Sequence, residues 1–407
     1  MFVEEVRPRI VKNSQGEKSI EIELKTYKGK FRASSPSGKS RGKHEVVQYN
    51  PSGGINSSFR MLNAFCKKLK HKNFMIKTFD DLKLIVQEVK KFEGRFGRFG
   101  GNVTYVIEAV FLKAAAKDNS KELWKFIFDS LDYNIIKGKK KRVKIPRPVG
   151  NCIGGGKHAT EIKGKKPDFQ EFLLIPNEKT FSKAITQNLR AYEYAKWLLK
   201  SRKKDDENAW MTDKTNEEVL LVLKNVGVKF GVRIGIDAAA SSFYNKGYYL
   251  YKNKKLIRDK IDQADYMGRL IKKFGLFYVE DPMQEEDFGG FIEIMSSVKK
   301  GKTLIVGDDL TVTNLKRVRR AVGSKGINAM IIKPNQIGSL MDVKKVMECC
   351  KKNKIVTIFS HRAGETLDDT LADLVVGFQG DFIKSGIIGR ERLIKLRRVV
   401  EIERGLG

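Results

Sequence analysis

Apolar and polar residues alternate along the first 50 positions. In KSIEIELKTY (18–27) the alternation puts Ile20, Ile22 and Leu24 on one face, which predicts a half-buried strand. A Ser/Gly-rich stretch, SSPSGKSRGKHE (34–45), reads as a loop. Apolar spacing then changes to that of helices over 57–69 and 103–117. Together these segments predict a small α+β domain over 1–136. The run KGKKKRVK (137–144) interrupts the pattern and reads as a solvated basic connector.

From 145 to 407 the rhythm is different. Short apolar runs alternate with stretches of helical spacing. One helix is especially legible: Thr215 and Glu218 form a capping box ahead of EVLLVLKNV, and Gly227 is expected as its C-terminal cap. The run GVRIGID (231–237) is the expected next strand. Alternating β and α units over this length predict an α/β fold, a (β/α)8 barrel behind the small α+β domain.

Composition adds one question and removes several classes. The chain has 407 residues, with 80 Lys+Arg against 48 Asp+Glu, a net charge of +32. With 41% hydrophobic residues it has ample core material and is not a disordered polyelectrolyte. The charge raises a reading as a nucleic-acid or anionic-membrane binding scaffold. No nucleic-acid fold signature accompanies it, and the basic run lacks interleaved aromatics. The stretch VTYVIEAVFLKAAA (103–116) is broken by Glu108 and Lys113 and is too short to span a bilayer. MFVEEVRPRI carries acids where a signal peptide would be apolar, so a cytoplasmic protein is expected. Cys66, Cys152, Cys349 and Cys350 form no C-x-x-C pair and read as reduced thiols.

The chemistry lies at the ends of five apolar runs. These end at Asp237, at Glu280 and Asp281, at Asp308 and Asp309, at Lys333, and at His361 and Arg362. Spacings of 43, 28, 25 and 28 residues between these ends correspond to about one βα unit each. In a barrel such ends share one rim. Three converging carboxylates raise each other's pKa unless a cation joins them, and all-oxygen ligands select a hard ion, Mg²⁺ first. A lysine beside that cation loses its proton more readily and can act as a base. Such a pair suits abstraction of a proton next to a carboxylate.

VGDDLTVTN (306–314), KPNQIGSL (333–340), HRAGET (361–366) and FIKSGIIGRERL (382–393) resemble the signatures of the enolase family in identity and order. PSGKSRGKHE (36–45) is similar to that family's substrate-covering loop; GGGKHA (154–159) with DFQEF (168–172) is similar to a second covering segment. The resemblance implies an enolase-like barrel that interconverts 2-phosphoglycerate and phosphoenolpyruvate with Mg²⁺, and a homodimer. It implies Asp237, Glu280 and Asp308 as metal ligands and Lys333 as the base, with Ser40 bringing the loop onto a second Mg²⁺. Arg362 would hold the phosphate and Lys384 the carboxylate region. Gln170 and Glu171 would line the pocket, with Glu171 near the leaving hydroxyl; His158 and His361 would contact the substrate or order the site.

The sequence also departs from the family pattern. Where enolases carry V-G-D-E-G-G-F-A, with the general acid at its Glu, this chain has KKDDENAW (203–210). The acid is Asp206 by strict alignment or Glu207 with a one-residue slip. Asp is shorter than Glu by roughly 1.5 Å, a misplacement that can cost on the order of a hundredfold in rate. Ala363 stands where a Ser usually contributes to the phosphate site, and Lys39 and Arg41 replace small loop residues. These departures motivate a second reading, an enolase-like protein with impaired or altered activity.

Overall fold

A computed structural model describes residues 1–39, 42–136, 139–140, 142–159, 164–298 and 301–406, without the side chains of 134–136 and 139–140. Ser40, Arg41 and much of the expected connector over 137–144 lie outside the described residues.

The alternating N-terminal segments pair as an antiparallel sheet of Glu5–Lys12, Lys18–Thr26 and Gly29–Ser34. Ile20, Ile22 and Leu24 are all buried on it, as their period of two requires. Helices Gly54–Leu69 and Gly101–Asp118 pack on this sheet, and Lys83–Phe96 and Leu123–Asp129 pack against Gly101–Asp118. Gly101–Asp118 is buried almost all round, so it serves the core rather than a membrane. No helix among the described residues is long and apolar enough to cross a bilayer.

Eight strands close into a barrel: Arg147–Gly154, Glu171–Ile175, Arg233–Asp237, Tyr278–Glu280, Leu304–Gly307, Ala329–Ile332, Val356–Ser360 and Phe382–Lys384. The last pairs with the first and completes the ring. One strand corrects a simple βα alternation: Glu171–Ile175 runs antiparallel to both neighbours. The helix after Thr215 also differs in one detail. Its capping box forms, but it continues through Gly227 to Phe230 and is capped by left-handed Gly231. Gly227 serves close packing instead, since a Cβ there would lie 3.0 Å from both Ile234 and Val232 atoms.

The barrel interior is a packed plug of Val149, Leu173, Ile175, Tyr278, Val306, Ala329, Ile331, Ile358 and Phe382. Side chains alternate along a strand, so the residue two positions on from a plug residue also faces inward. That rule carries Tyr278 to Glu280, Val306 to Asp308, Ile331 to Lys333 and Phe382 to Lys384. On the reversed strand the same step runs backwards, from Leu173 to Glu171. The apolar plug thus forms the floor on which the charged groups stand.

Candidate active site

Glu171, Asp237 and Glu280 lie side by side on three neighbouring strands, in direct register. Lys384 projects among them from the far end of the ring. Its Nζ is 2.9 Å from Glu171 Oε2, 2.8 Å from Glu280 Oε2 and 3.3 Å from Asp237 Oδ2. The fourth carboxylate, Asp308, pairs with Lys333. Glu171, Asp237, Glu280 and Lys384 are nearly inaccessible to solvent and Asp308 and Lys333 only slightly exposed, so these charges act on each other at lowered dielectric.

Burial pushes Glu280 up to about 7, helped by the neighbouring Asp237. Burial likewise pushes Asp237 up to about 6 and Glu171 up to about 7, with Lys384 opposing both. Burial also opposes the charge on Lys384, but Glu171 and Glu280 outweigh it and hold the ammonium well above its ordinary value. Lys333 is raised in the same way: desolvation lowers it, and Asp308 more than compensates. Asp308 is lowered against its own burial, chiefly by Lys333.

Carboxylates outnumber ammoniums here, and a divalent cation would stabilise their ionised forms. Glu280 Oε1 is buried with no hydrogen-bond partner, and the available donors are oxygens. Both features fit a hard divalent ion. Of the expected ligands, Asp237 and Glu280 share the Lys384 ammonium, and Asp308 pairs with Lys333. Among the described residues, Asp281, Asp308 and Asp309 do bring carboxylate oxygens within 4.8 Å of one another, as do His158, Glu171 and Glu207 with their ligand atoms. Asp281 is also a brace: its carboxylate accepts the backbone N–H of Asp308 at 3.0 Å and of Asp309 at 2.6 Å.

A second group stands across the cavity. His158 Nδ1 lies 3.9 Å from Glu207 and 4.0 Å from Glu171, and His361 Nε2 lies 3.5 Å from Glu207. Burial raises the Glu207 carboxyl, but His361 and His158 outweigh it and hold the group well below its usual range. Burial lowers His361. His158 is raised against its burial, first by Glu207.

Arg362 closes the third side. Its guanidinium meets both oxygens of buried Glu45 at 3.0 to 3.1 Å and Asn335 Oδ1 at 3.2 Å. The covering loop passes directly above it: a Cβ on Gly38 would fall 1.8 Å from Arg362 Nη2, so a side chain there would displace the guanidinium.

His158, Gln170, Glu171, Glu207, Asp237, Asp308, Lys333, His361, Arg362, Ala363 and Lys384 therefore line one cavity. Glu280 is buried behind Lys384. Asp206 faces Lys39 at 2.7 Å and Gln15 at 3.1 Å instead, and Ser40 falls outside the described residues. Sequence reasoning gave no role to Glu45. Its signal was a lone pair of neighbours, His44 and an acid, in an otherwise basic loop.

Comparison with known proteins agrees with this geometry. A family model described as "Enolase, N-terminal domain" matches residues 3–127, and one described as "Enolase, C-terminal TIM barrel domain" matches 142–407. A protein named Enolase from Methanosphaera stadtmanae is 36% identical over 99% of this chain and 97% of its own length. Those from Picrophilus torridus and Thermoplasma acidophilum are 34% and 35% identical, over 99% and 98% of both chains respectively. With both domains matched and an acid-and-lysine cluster on the barrel rim, the chain belongs to the enolase family.

Proposed function

We propose that this chain is a Mg²⁺-dependent cytoplasmic lyase, working as a homodimer, that reversibly dehydrates 2-phosphoglycerate to phosphoenolpyruvate. The observation that carries the reading is the pair of lysines set among more numerous carboxylates on the barrel rim. Asp237, Glu280 and Asp308 would hold the metal. When bound, Mg²⁺ supplies the positive charge that stabilises the doubly charged carboxylate formed by loss of the C2 proton.

The residues divide the remaining work. Arg362 offers a planar fork to the phosphate, for which Glu45 is the resident counterion. Lys384 offers its ammonium to the substrate carboxylate. Lys333 takes the C2 proton as a neutral amine. Asp308 now holds it protonated, and a cation that shares Asp308 both weakens that hold and adds repulsion. The electron pair moves toward C1 and then forms the C2–C3 double bond as the C3 hydroxyl departs. That hydroxyl leaves as water, taking the one proton that Glu171 and Glu207 share: Glu171, raised to about 7, carries it at rest, and Glu207, held ionised by His361 and His158, receives and delivers it as the hydroxyl departs. Glu207 is favoured over Asp206 because it lines the cavity between His158 and His361. Glu171 shares the proton of that carboxylate pair, since two buried acids about one histidine cannot both stay ionised.

The test is formation of phosphoenolpyruvate from 2-phosphoglycerate with and without Mg²⁺. Exchange of the C2 proton with solvent but no dehydration would instead support the impaired-acid reading. For the basic surface, a salt titration of nucleic-acid binding is decisive: attraction that disappears near about 0.15 M salt is nonspecific.

A further inference from the structure

The segment that carries Glu207 has neither the glycines nor the strand character expected there, yet it is firmly held. Asp205 accepts the backbone N–H of Glu207 at 2.9 Å and of Ala209 at 2.8 Å. Asn208 takes a left-handed backbone, φ 68°, and its carbonyl accepts the Tyr192 hydroxyl at 2.6 Å. These contacts come from the barrel itself. The third anchor does not. Asp206 Oδ2 accepts Lys39 Nζ at 2.7 Å and Gln15 Nε2 at 3.1 Å, and both partners belong to the N-terminal part of the chain.

The need for that anchor follows from His158. Its Nδ1 lies 4.0 Å from Asp206 Oδ1, 3.9 Å from Glu207 Oε1 and 4.0 Å from Glu171 Oε1, so three carboxylates compete for one imidazole nitrogen. Lys39 and Gln15 fix one Asp206 oxygen, while the other stays buried beside His158. Glu207, one methylene longer, is the one that also reaches His361 and lines the cavity.

We propose that Asp206 is a positioning residue: through it, Lys39 and Gln15 of the N-terminal domain aim Glu207 at the leaving hydroxyl. This rests on the enolase reading above and adds that the acid is assembled only across the two domains. The ion pair contributes little stability, because Lys39 is 37% exposed and screened. Its effect is on placement, where an error near 1 Å costs about a hundredfold.

The experiment compares two readouts of the full-length protein with Mg²⁺ and 2-phosphoglycerate. One is dehydration; the other is C2 proton exchange with deuterated solvent, which needs Lys333 but not the acid. Asp206→Asn and Gln15→Ala should lower kcat for dehydration by about tenfold to a hundredfold, with exchange and KM within about threefold of wild type. Lys39→Ala combined with Asp206→Asn should be no worse than the more severe single variant, and Lys39→Arg should restore most of the loss seen in Lys39→Ala. Parallel loss of exchange and dehydration, or unchanged dehydration in both single variants, would overturn the proposal. So would an Asp206→Asn defect as deep as that of Glu207→Gln, which would make Asp206 the acid. Absence of both readouts in the wild-type protein would instead refute the enolase reading.

Discussion

Lys384 makes the most demanding prediction. Its ammonium is 3% exposed and touches Glu171, Asp237 and Glu280, which are themselves at most 6% exposed. Replacing it by Met keeps most of the length and removes the charge, leaving three carboxylates crowded in the barrel. Breaking a buried pair this way costs about 3–5 kcal/mol. Protonation gives part of that back at low pH. Glu171 and Glu280 already sit at about 7, above the ordinary Glu value. For an acid with a raised folded-state pKa, stability is highest below the unfolded value and falls as pH climbs toward the folded one. The Lys384→Met penalty should therefore be small near pH 5 and approach its full size near pH 8. Magnesium should recover more stability in the variant than in wild type, because a ligand stabilises by its affinity for the folded state and the competing ammonium is gone. Urea unfolding at both pH values, in chelator and in excess Mg²⁺, measures all of this. A metal-free variant as stable as wild type at pH 8, or a smaller Mg²⁺ effect in the variant, would refute the charge argument.

Three further outcomes follow from single positions. Glu108 is buried, accepts the Leu340 N–H at 2.7 Å, and is pushed up to about 8 by burial. Wild-type stability should accordingly fall by up to about 1.4 kcal/mol per pH unit between its unfolded value and 8, and Glu108→Gln should flatten that slope in thermal melts across the same window. Gly38→Ala should raise KM for 2-phosphoglycerate by more than about tenfold, as expected for a misplaced binding group, because its Cβ would collide with Arg362; an unchanged KM would remove the loop from the phosphate site. Ala363→Ser adds a hydroxyl to the cavity wall beside Arg362, and a gained hydrogen bond of about 1 kcal/mol should lower KM roughly fivefold; steady-state kinetics would show whether it does.

Much of the fold and most of the rim could be read from the chain because both obey short periods. A strand buried on its inner face shows as an apolar run, and its last inward residue shows as a charge just past that run, as at Glu280, Asp308 and Lys333. Glu171 breaks this rule physically. Its strand is reversed, so the charged residue on the active rim begins the run instead of ending it, and only motif resemblance could find it. Glu45 was hidden for another reason: its importance comes from Arg362, 317 positions away, and no local pattern encodes that pairing. The choice between Asp206 and Glu207 was equally closed to the sequence. It depends on how each of two consecutive carboxylates is held, and Asp206 bonds Lys39 and Gln15 from another part of the chain. Gly227 misled because a glycine near a helix end has two uses, and here close approach to Ile234 was the operative one. The net charge of +32 proved least informative about the reaction, since the cavity itself is built around acids. It raises the concentration of anionic molecules near the surface, including a phosphorylated substrate.

In the proposed reaction Lys333 removes a proton beside a carboxylate held in a metal-dependent barrel site. Phosphoenolpyruvate formation from 2-phosphoglycerate, followed for the wild-type protein and Lys333→Ala, each in saturating Mg²⁺ and in chelator, tests that role. Turnover should require Mg²⁺ and fall about 10²–10⁴-fold in the variant. No wild-type turnover, or equal rates in the two proteins, would contradict it.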